Sequence, residues 1–347
     1  MTTQRGAATD PPDRPVAEFD LLDRQLAQAL MIDGRASFSR LAEVLGVSDQ
    51  TVTRRYRRLR GEGLLRVIGL PLGNRVGLYQ SNVRVQCVPG AAGAIADALA
   101  RRRDIGWVTI NASGTEVSCM TRSRSRRERD LLLLDKLPRT RQVTGVSVKT
   151  IMHVFVGGPG GWPGLAAGLG ADQAAALHRD FPAATGEFEL DDADHALLAV
   201  LARDGRAPYP ELAAAVGKSE STVRRRVEHL IDSGVLYFDV EILPIHLGFH
   251  VEAMLTAAVA PADLDAAGRA VGSHPEVPFA AATTGPTNLA AVVVCREIED
   301  LYEYLTGRVG AIAGIGQLEV VQVLRTVKRA GLLTDGVRLY DPPEAVY

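Results

Sequence analysis

The chain has 347 residues, enough for two to four domains, and at 46% hydrophobic and 23% charged it can bury real cores. Its formal net charge of −2 excludes a global basic field, so any contact with nucleic acid has to come from local patches. Three cysteines without paired spacing (Cys87, Cys119, Cys295) argue against a disulfide framework and predict small buried strand residues in a reduced compartment.

Residues 1–17 combine Pro, Asp and Arg and predict a disordered tail with no signal-peptide core. No apolar run approaches 18 residues, so a soluble cytoplasmic protein is expected. Leu22, Leu26, Ala29 and Leu30 space out the inner face of a first helix. Leu41, Ala42 and Leu45 follow on a second, which Gly46 ends. Ser48 then stands where an N-cap belongs. In the helix it opens, Val52, Tyr56 and Leu59 recur at inward spacing, while Gln50, Thr53, Arg54, Arg57 and Arg58 occupy the other face. Helix, tight turn and a second amphipathic helix with outward donors is what reading a DNA groove requires; an ordinary helical hairpin with a solvated basic face is the bland alternative. Residues 64–76, with Pro71 and Gly73-Asn74, read as a wing of strand, turn and return, closing a first unit over 18–78.

Residues 79–156 then read as βαββαβ: strands at 81–88, 105–112, 116–121 and within 143–156, helices at 90–102 and 126–137. Gly157 to Pro163 opens a linker over 157–188, with a short Ala-rich helix expected at 165–178. The plan repeats: a helix-turn-helix unit over 189–248 and a second βαββαβ unit over 249–330. Residues 331–347 form a tail without motif.

The repeat is measurable. At an offset of 171, residues 18–66 overlay 189–237 without a gap, and 20 of the 49 positions are identical. Both copies carry an acidic start (Asp20 and Asp23; Asp191 and Asp194), Asp-Gly-Arg at 33–35 and 204–206, and Leu-Ala at 41–42 and 212–213. Gly-x-Ser at 46–48 and 217–219, Val-x-x-Arg at 52–55 and 223–226, and Gly-Leu-Leu or Gly-Val-Leu at 63–65 and 234–236 follow. This pattern resembles the winged helix-turn-helix of the Lrp/AsnC (feast/famine) transcriptional regulators. The resemblance implies an α+β chain of two winged helix-turn-helix domains and two ferredoxin-like βαββαβ modules that sense a small effector and oligomerise. Such chains usually carry one of each; this one reads as two of each.

The resemblance implies double-stranded DNA as a partner, contacted through Ser48, Gln50, Thr51, Thr53, Arg54, Arg55, Arg57 and Arg58, and through Ser219, Ser221, Thr222, Arg224 and Arg225. Arg55 and Arg226 share one family position and have a second reading, as bridges to acidic residues. From 48 to 66, six arginines face Asp49 and Glu62, a net of +4; from 219 to 237 three arginines face three acids, a net of 0. Copy one is therefore expected to supply more of the affinity, and unlike outward faces predict unlike half-sites read by one chain acting as a pseudo-dimer.

The family's effectors, usually amino acids, bind near the turn between the second and third strands of the module. Here that turn is Ser113, Gly114, Thr115 in copy one and Thr284, Gly285, Thr287, Asn288 in copy two, where Asn288 stands in a position that is often Asp. A plain hairpin turn is the other reading. Lys328 stands where the family often has a lysine ending the last strand. No metalloprotease, nucleophile-elbow or nucleotide-loop motif occurs, and His246 and His250 sit beside Pro244 and Gly248, poor helix for a metal pair, so neither metal nor cofactor nor enzyme is expected. One enzyme reading stays open by resemblance. The siroheme decarboxylases share this two-domain plan and sometimes occur as fusions. A pure DNA-organising protein, its modules serving only to oligomerise, is the further alternative.

Overall fold

In the computed structural model, residues 16–111, 113–165, 168–182 and 186–342 are described. The first unit opens with helices α1 (Leu21–Ile32), α2 (Phe38–Leu45) and α3 (Asp49–Gly61). The capping chemistry falls where the sequence places it. Asp20, Ser37 and Ser48 each accept a backbone N–H of the first turn that follows, and Gly46 ends α2 in the left-handed region at φ 66°. Leu26, Leu30, Leu41, Val52, Tyr56 and Leu59 are buried together beneath α3. Strand β1 (Leu65–Pro71) follows, and it does not turn back on itself.

Its partner lies in the other copy, which corrects the expected local wing. There, α7 (Asp192–Leu201), α8 (Tyr209–Val216), α9 (Glu220–Asp232) and β6 (Leu236–Ile242) repeat the arrangement. They come after β2 (Tyr79–Cys87), α4 (Ala92–Ala100), β3 (Ile105–Asn111), β4 (Glu116–Ser123), α5 (Arg126–Asp130), β5 (Val143–Val156) and α6 (Ala171–Leu177). β1 and β6 pair antiparallel over their whole lengths, Leu65 opposite Ile242 and Pro71 opposite Leu236. Each strand thus satisfies its backbone only by joining the other unit.

The Asp-Gly-Arg motif belongs to this junction. Asp33 and Asp204 accept the backbone N–H of Arg35 and Arg206 two residues on. Gly205 donates to Val67 of β1, and a Cβ there would lie 2.9 Å from the Ile68 backbone, so only glycine lets the strand pass. Each arginine then crosses to the opposite unit: Arg35 donates to Gly205 and Ala207, Arg206 to Gly34 and Ala36.

Each βαββαβ module forms four strands with helices on one face. In the second these are β7 (Val251–Val259), α10 (Leu264–Gly272), β8 (Phe279–Thr283), β9 (Leu289–Cys295), α11 (Ile298–Glu303) and β10 (Ile315–Arg329). The second helix of each module widens into a π-helical turn, at Leu131–Lys136 and Tyr304–Val309. The long last strands join the two modules. β5 pairs with β2 and then with β8; β10 pairs with β7 and then with β3. Eight strands thereby close in the order β10-β3-β4-β2-β5-β8-β9-β7 and back to β10, with an approximate two-fold relation at an offset of 172. Val83, Val85 and Cys87 turn outward to the helices, as expected from their alternation, while Asn82 and Arg84 point into the closed interior. Cys87, Cys119 and Cys295 are buried and unpaired.

The ends and the linker are more structured than their composition suggests. α6 packs on α1 and α2, and Gln28 accepts the N–H groups of Gly168 and Leu169. The tail forms β11 (Leu332–Thr334) and β12 (Leu339–Tyr340), where Leu339 donates to Gly63 just past α3. Buried His246 faces the carbonyls of Ala17 and Val337 at 2.9 and 2.7 Å, tying the incoming and outgoing ends of the chain together. The expected disorder of residues 1–17 falls outside the described residues up to 15, and the expected featureless tail likewise beyond 342.

Candidate nucleic-acid interface and effector turns

α3 and α9 each present the face that sequence spacing assigns to them. Ser48 and Ser219 cap these helices by accepting from Thr51 and Thr222 at 3.1 and 3.3 Å, and both threonine hydroxyls also contact their serines. Gln50, Arg54, Arg57, Ser221, Arg224 and Arg225 are exposed; Thr53 is half-buried and its hydroxyl donates to Asp49 at 3.0 Å.

Arg55 and Arg226 face the other way. Arg226 donates to both oxygens of Asp194 at 2.7 and 2.5 Å; Arg55 is paired with Asp20 and, at 3.1 Å, with Asp23. The Asp194 carboxyl is 1% exposed. Burial pushes it up, but the Arg226 guanidinium and the Asp191 backbone outweigh this and hold it below the ordinary carboxylate value. These arginines bolt the recognition helix to the first helix of its own unit. Arg58, expected at phosphates, is drawn to Asp23 at 2.6 Å. Its counterpart His229 lies by Phe188, leaving a groove of about 510 Å³ between α7 and α9 that Lys218, Arg225 and Arg226 line.

The charge asymmetry of the two copies shrinks accordingly. Of the six arginines from 48 to 66, Arg55 and Arg58 serve Asp20 and Asp23, Arg60 pairs with Asp204 of the other unit, and Arg66 lies 3.8 Å from Asp341. Among the described residues, Arg54 and Arg57 carry no ion pair. In copy two Arg225 carries none, and Arg224 stacks 4.2 Å over the Tyr209 ring. Each helix therefore offers two outward arginines, which removes the basis for expecting copy one to dominate.

The two candidate effector turns differ. In the first, Gly114 is left-handed at φ 64°, nothing lies within 4 Å of a Cβ built there, and Ser113 and Thr115 contact each other. In the second, Lys149 from the other module donates to Thr287, and the Thr284 hydroxyl accepts from Thr150 N–H at 2.9 Å. Asn288 accepts from and donates to the Val259 backbone, both at 2.9 Å, so its amide holds the turn to β7. Between the turns, Arg84 crosses the interior from Glu116 to Glu319 at 2.8 Å each. Around it remains a cavity of about 20 Å³, space for a water molecule or so. Sequence reasoning missed this bridge; a lone arginine in an alternating strand carries no signal of its partner.

Residues 19–60 and 190–231 match the AsnC-type helix-turn-helix domain, and residues 252–333 match the Lrp/AsnC ligand binding domain. Among curated proteins, an uncharacterized helix-turn-helix transcriptional regulator of Pyrococcus horikoshii is 31% identical over 146 residues, 42% of this chain and 92% of its own length. The helix-turn-helix transcriptional regulator Ptr1 of Methanocaldococcus jannaschii is 29% identical over 140 residues, 40% of this chain and 95% of its own. Among solved structures, the siroheme decarboxylase NirDL aligns over 90% of this chain and 93% of its own at a TM-score of 0.61 and 13% identity, a likeness of fold alone. No helix among the described residues is long and apolar enough to cross a membrane.

Proposed function

Because the chain belongs to the Lrp/AsnC family of helix-turn-helix transcriptional regulators, we propose that one copy does the work of a two-reader regulator. α3 and α9 read two unlike halves of a single duplex site, and a small effector such as an amino acid modulates the binding. The observation that carries this reading is the β1–β6 ladder together with the crossed Arg35 and Arg206 arms, which join both readers inside one chain. Unlike faces support unlike halves: Gln50, Thr53 and Arg57 stand opposite Ser221, Arg224 and Glu228. Ser48 and Ser219, at capped helix N-termini, suit phosphates; Gln50, Thr53, Arg54, Ser221 and Arg224 suit base edges or nearby phosphates. The effector is assigned to the turns at 113–115 and 284–288, where Gly114 and Gly285 take the left-handed conformation.

Site selection from random duplex DNA tests the reading, done with the unaltered chain, with Arg54→Ala/Arg57→Ala, and with Arg224→Ala/Arg225→Ala. An asymmetric two-part site, with each pair of substitutions relaxing a different half, is expected. A perfect palindrome, or a site insensitive to the second pair, would sink it. For the effector, thermal melting against the twenty amino acids should show a shift that Gly114→Val or Gly285→Val removes.

A further inference from the structure

The helices that cover the closed sheet carry opposite charge on its two sides. Residues 124–141, which hold α5 and its π-helical turn, contain seven arginines and lysines against three acids, a net of +4. The equivalent residues 296–313, at the offset of 172 and holding α11, contain two arginines against four acids, a net of −2. Arg124, Arg127, Lys136 and Arg141 are exposed on the first; Glu297, Glu299, Asp300 and Glu303 are exposed on the second. Each face also leaves large apolar side chains in water. Leu131 and Leu134 are 48% and 70% exposed, Ile298 and Tyr302 52% and 69%. The module structure requires none of this, since Leu132 and Leu137, like Leu301, Tyr304 and Val309, already anchor these helices to their sheets.

We propose that the basic helical face of one chain docks on the acidic helical face of a second copy of the same chain. The complement of each surface, in charge and in apolar content, stands at the equivalent place on the same molecule. Duplex DNA would match the arginines but has no use for Leu131 and Leu134 beside them. The approximate two-fold relation puts the two faces on opposite sides of the closed sheet. The contact is therefore heterologous: each chain offers one donor and one acceptor face, and copies add head to tail into a ring or an open series.

Sedimentation velocity of the full chain without DNA, from 50 to 500 mM salt, reads the assembly directly. At low salt, species in steps of the 37.1 kDa chain mass are expected, reverting to single chains as salt screens the contact. Arg124→Glu/Arg127→Glu and Glu299→Arg/Glu303→Arg should each leave single chains, and the chain carrying all four should assemble again, a recovery that misfolding would not give. A single chain at every salt concentration overturns the proposal, as does assembly indifferent to both reversals. If the wild-type chain stays single and only the basic-face reversal weakens DNA binding, that face serves DNA and the proposal falls.

Discussion

Arg35 and Arg206 reach past each other between the two helix-turn-helix units. Arg35 donates to the carbonyls of Gly205 and Ala207 at 2.7 and 3.2 Å and stacks 4.7 Å over Tyr209. Arg206 donates to Gly34 and Ala36 at 2.7 and 2.9 Å and stacks 4.7 Å over Phe38. Either arginine removed leaves carbonyls without donors, at about 1–3 kcal/mol for each one that water cannot reach. Arg35→Ala and Arg206→Ala are each expected to cost roughly 2 kcal/mol in urea unfolding. More tellingly, both should broaden the half-site spacing recovered by selection, because the arms fix the distance between readers. Unchanged spacing in the double variant would show that the β1–β6 ladder suffices alone.

Asp194 tests the bolt behind a reader. With its carboxyl buried and paired to Arg226, Asp194→Asn should destabilise the second unit by about 3 kcal/mol, since it leaves a guanidinium without its counter-charge. The pH dependence has a definite sign. A carboxyl held below its ordinary value contributes stability that is present above the unfolded value near 4 and is lost as pH falls through the lower folded value. Acid unfolding followed by circular dichroism should therefore show a loss below pH 4 that is smaller in Asp194→Asn than in the wild type, since Asp20 and Glu319, also held below their ordinary values, remain.

Lys328 gives the alkaline counterpart. It is 3% exposed, it donates to the Arg102 carbonyl at 2.7 Å, and burial pulls its ammonium down to about 8. Between about pH 8 and the ordinary lysine value near 10.4, the unfolded chain holds a proton that the folded chain does not, so stability rises with pH, by up to about 3 kcal/mol. Cys119 works against this above pH 9, since burial holds its thiol protonated up to about 12. The informative quantity is thus the difference between the wild type and Lys328→Met across this range. It should grow toward high pH, and a flat difference would place the ammonium in water.

The repeated motifs were legible because their physics is local. Ser48, Ser219, Gly46 and Gly217 cap and end helices through bonds within three or four residues, and those signals survive in any context. The βαββαβ order was legible for the same reason: alternation at Val83, Val85 and Cys87 reports one buried face. What spacing could not show is which distant strand completes a ladder. β1 reads like half of a wing, and only the fold reveals that its other half is β6, some 170 residues later. Charge was misleading on the same ground. Arg58 looks like a phosphate anchor in the sequence and Arg60 adds to the positive count there, yet Asp23 and Asp204 claim them from other helices and loops. The tail misled in the opposite direction, since the pairing of Leu339 with Gly63 leaves no mark in composition.

The two readers can finally be compared as cation donors. Net charge around α3 and α9, +4 against 0, taken alone predicts the greater share of electrostatic affinity for copy one. The geometry gives equality, because Arg54 and Arg57 are the outward arginines of one helix and Arg224 and Arg225 those of the other. Each arginine that neutralises a phosphate adds about 0.9 to the slope of log K against log salt. Fluorescence anisotropy on the selected duplex, titrated at several salt concentrations, should therefore lose about 1.8 from that slope with Arg54→Ala/Arg57→Ala and the same with Arg224→Ala/Arg225→Ala. Arg55→Ala and Arg226→Ala should leave the slope unchanged while lowering the melting temperature, since those two guanidiniums face carboxylates inside their own units. A loss twice as large from the first pair as from the second would mean that the paired arginines of copy one leave their carboxylates for the duplex.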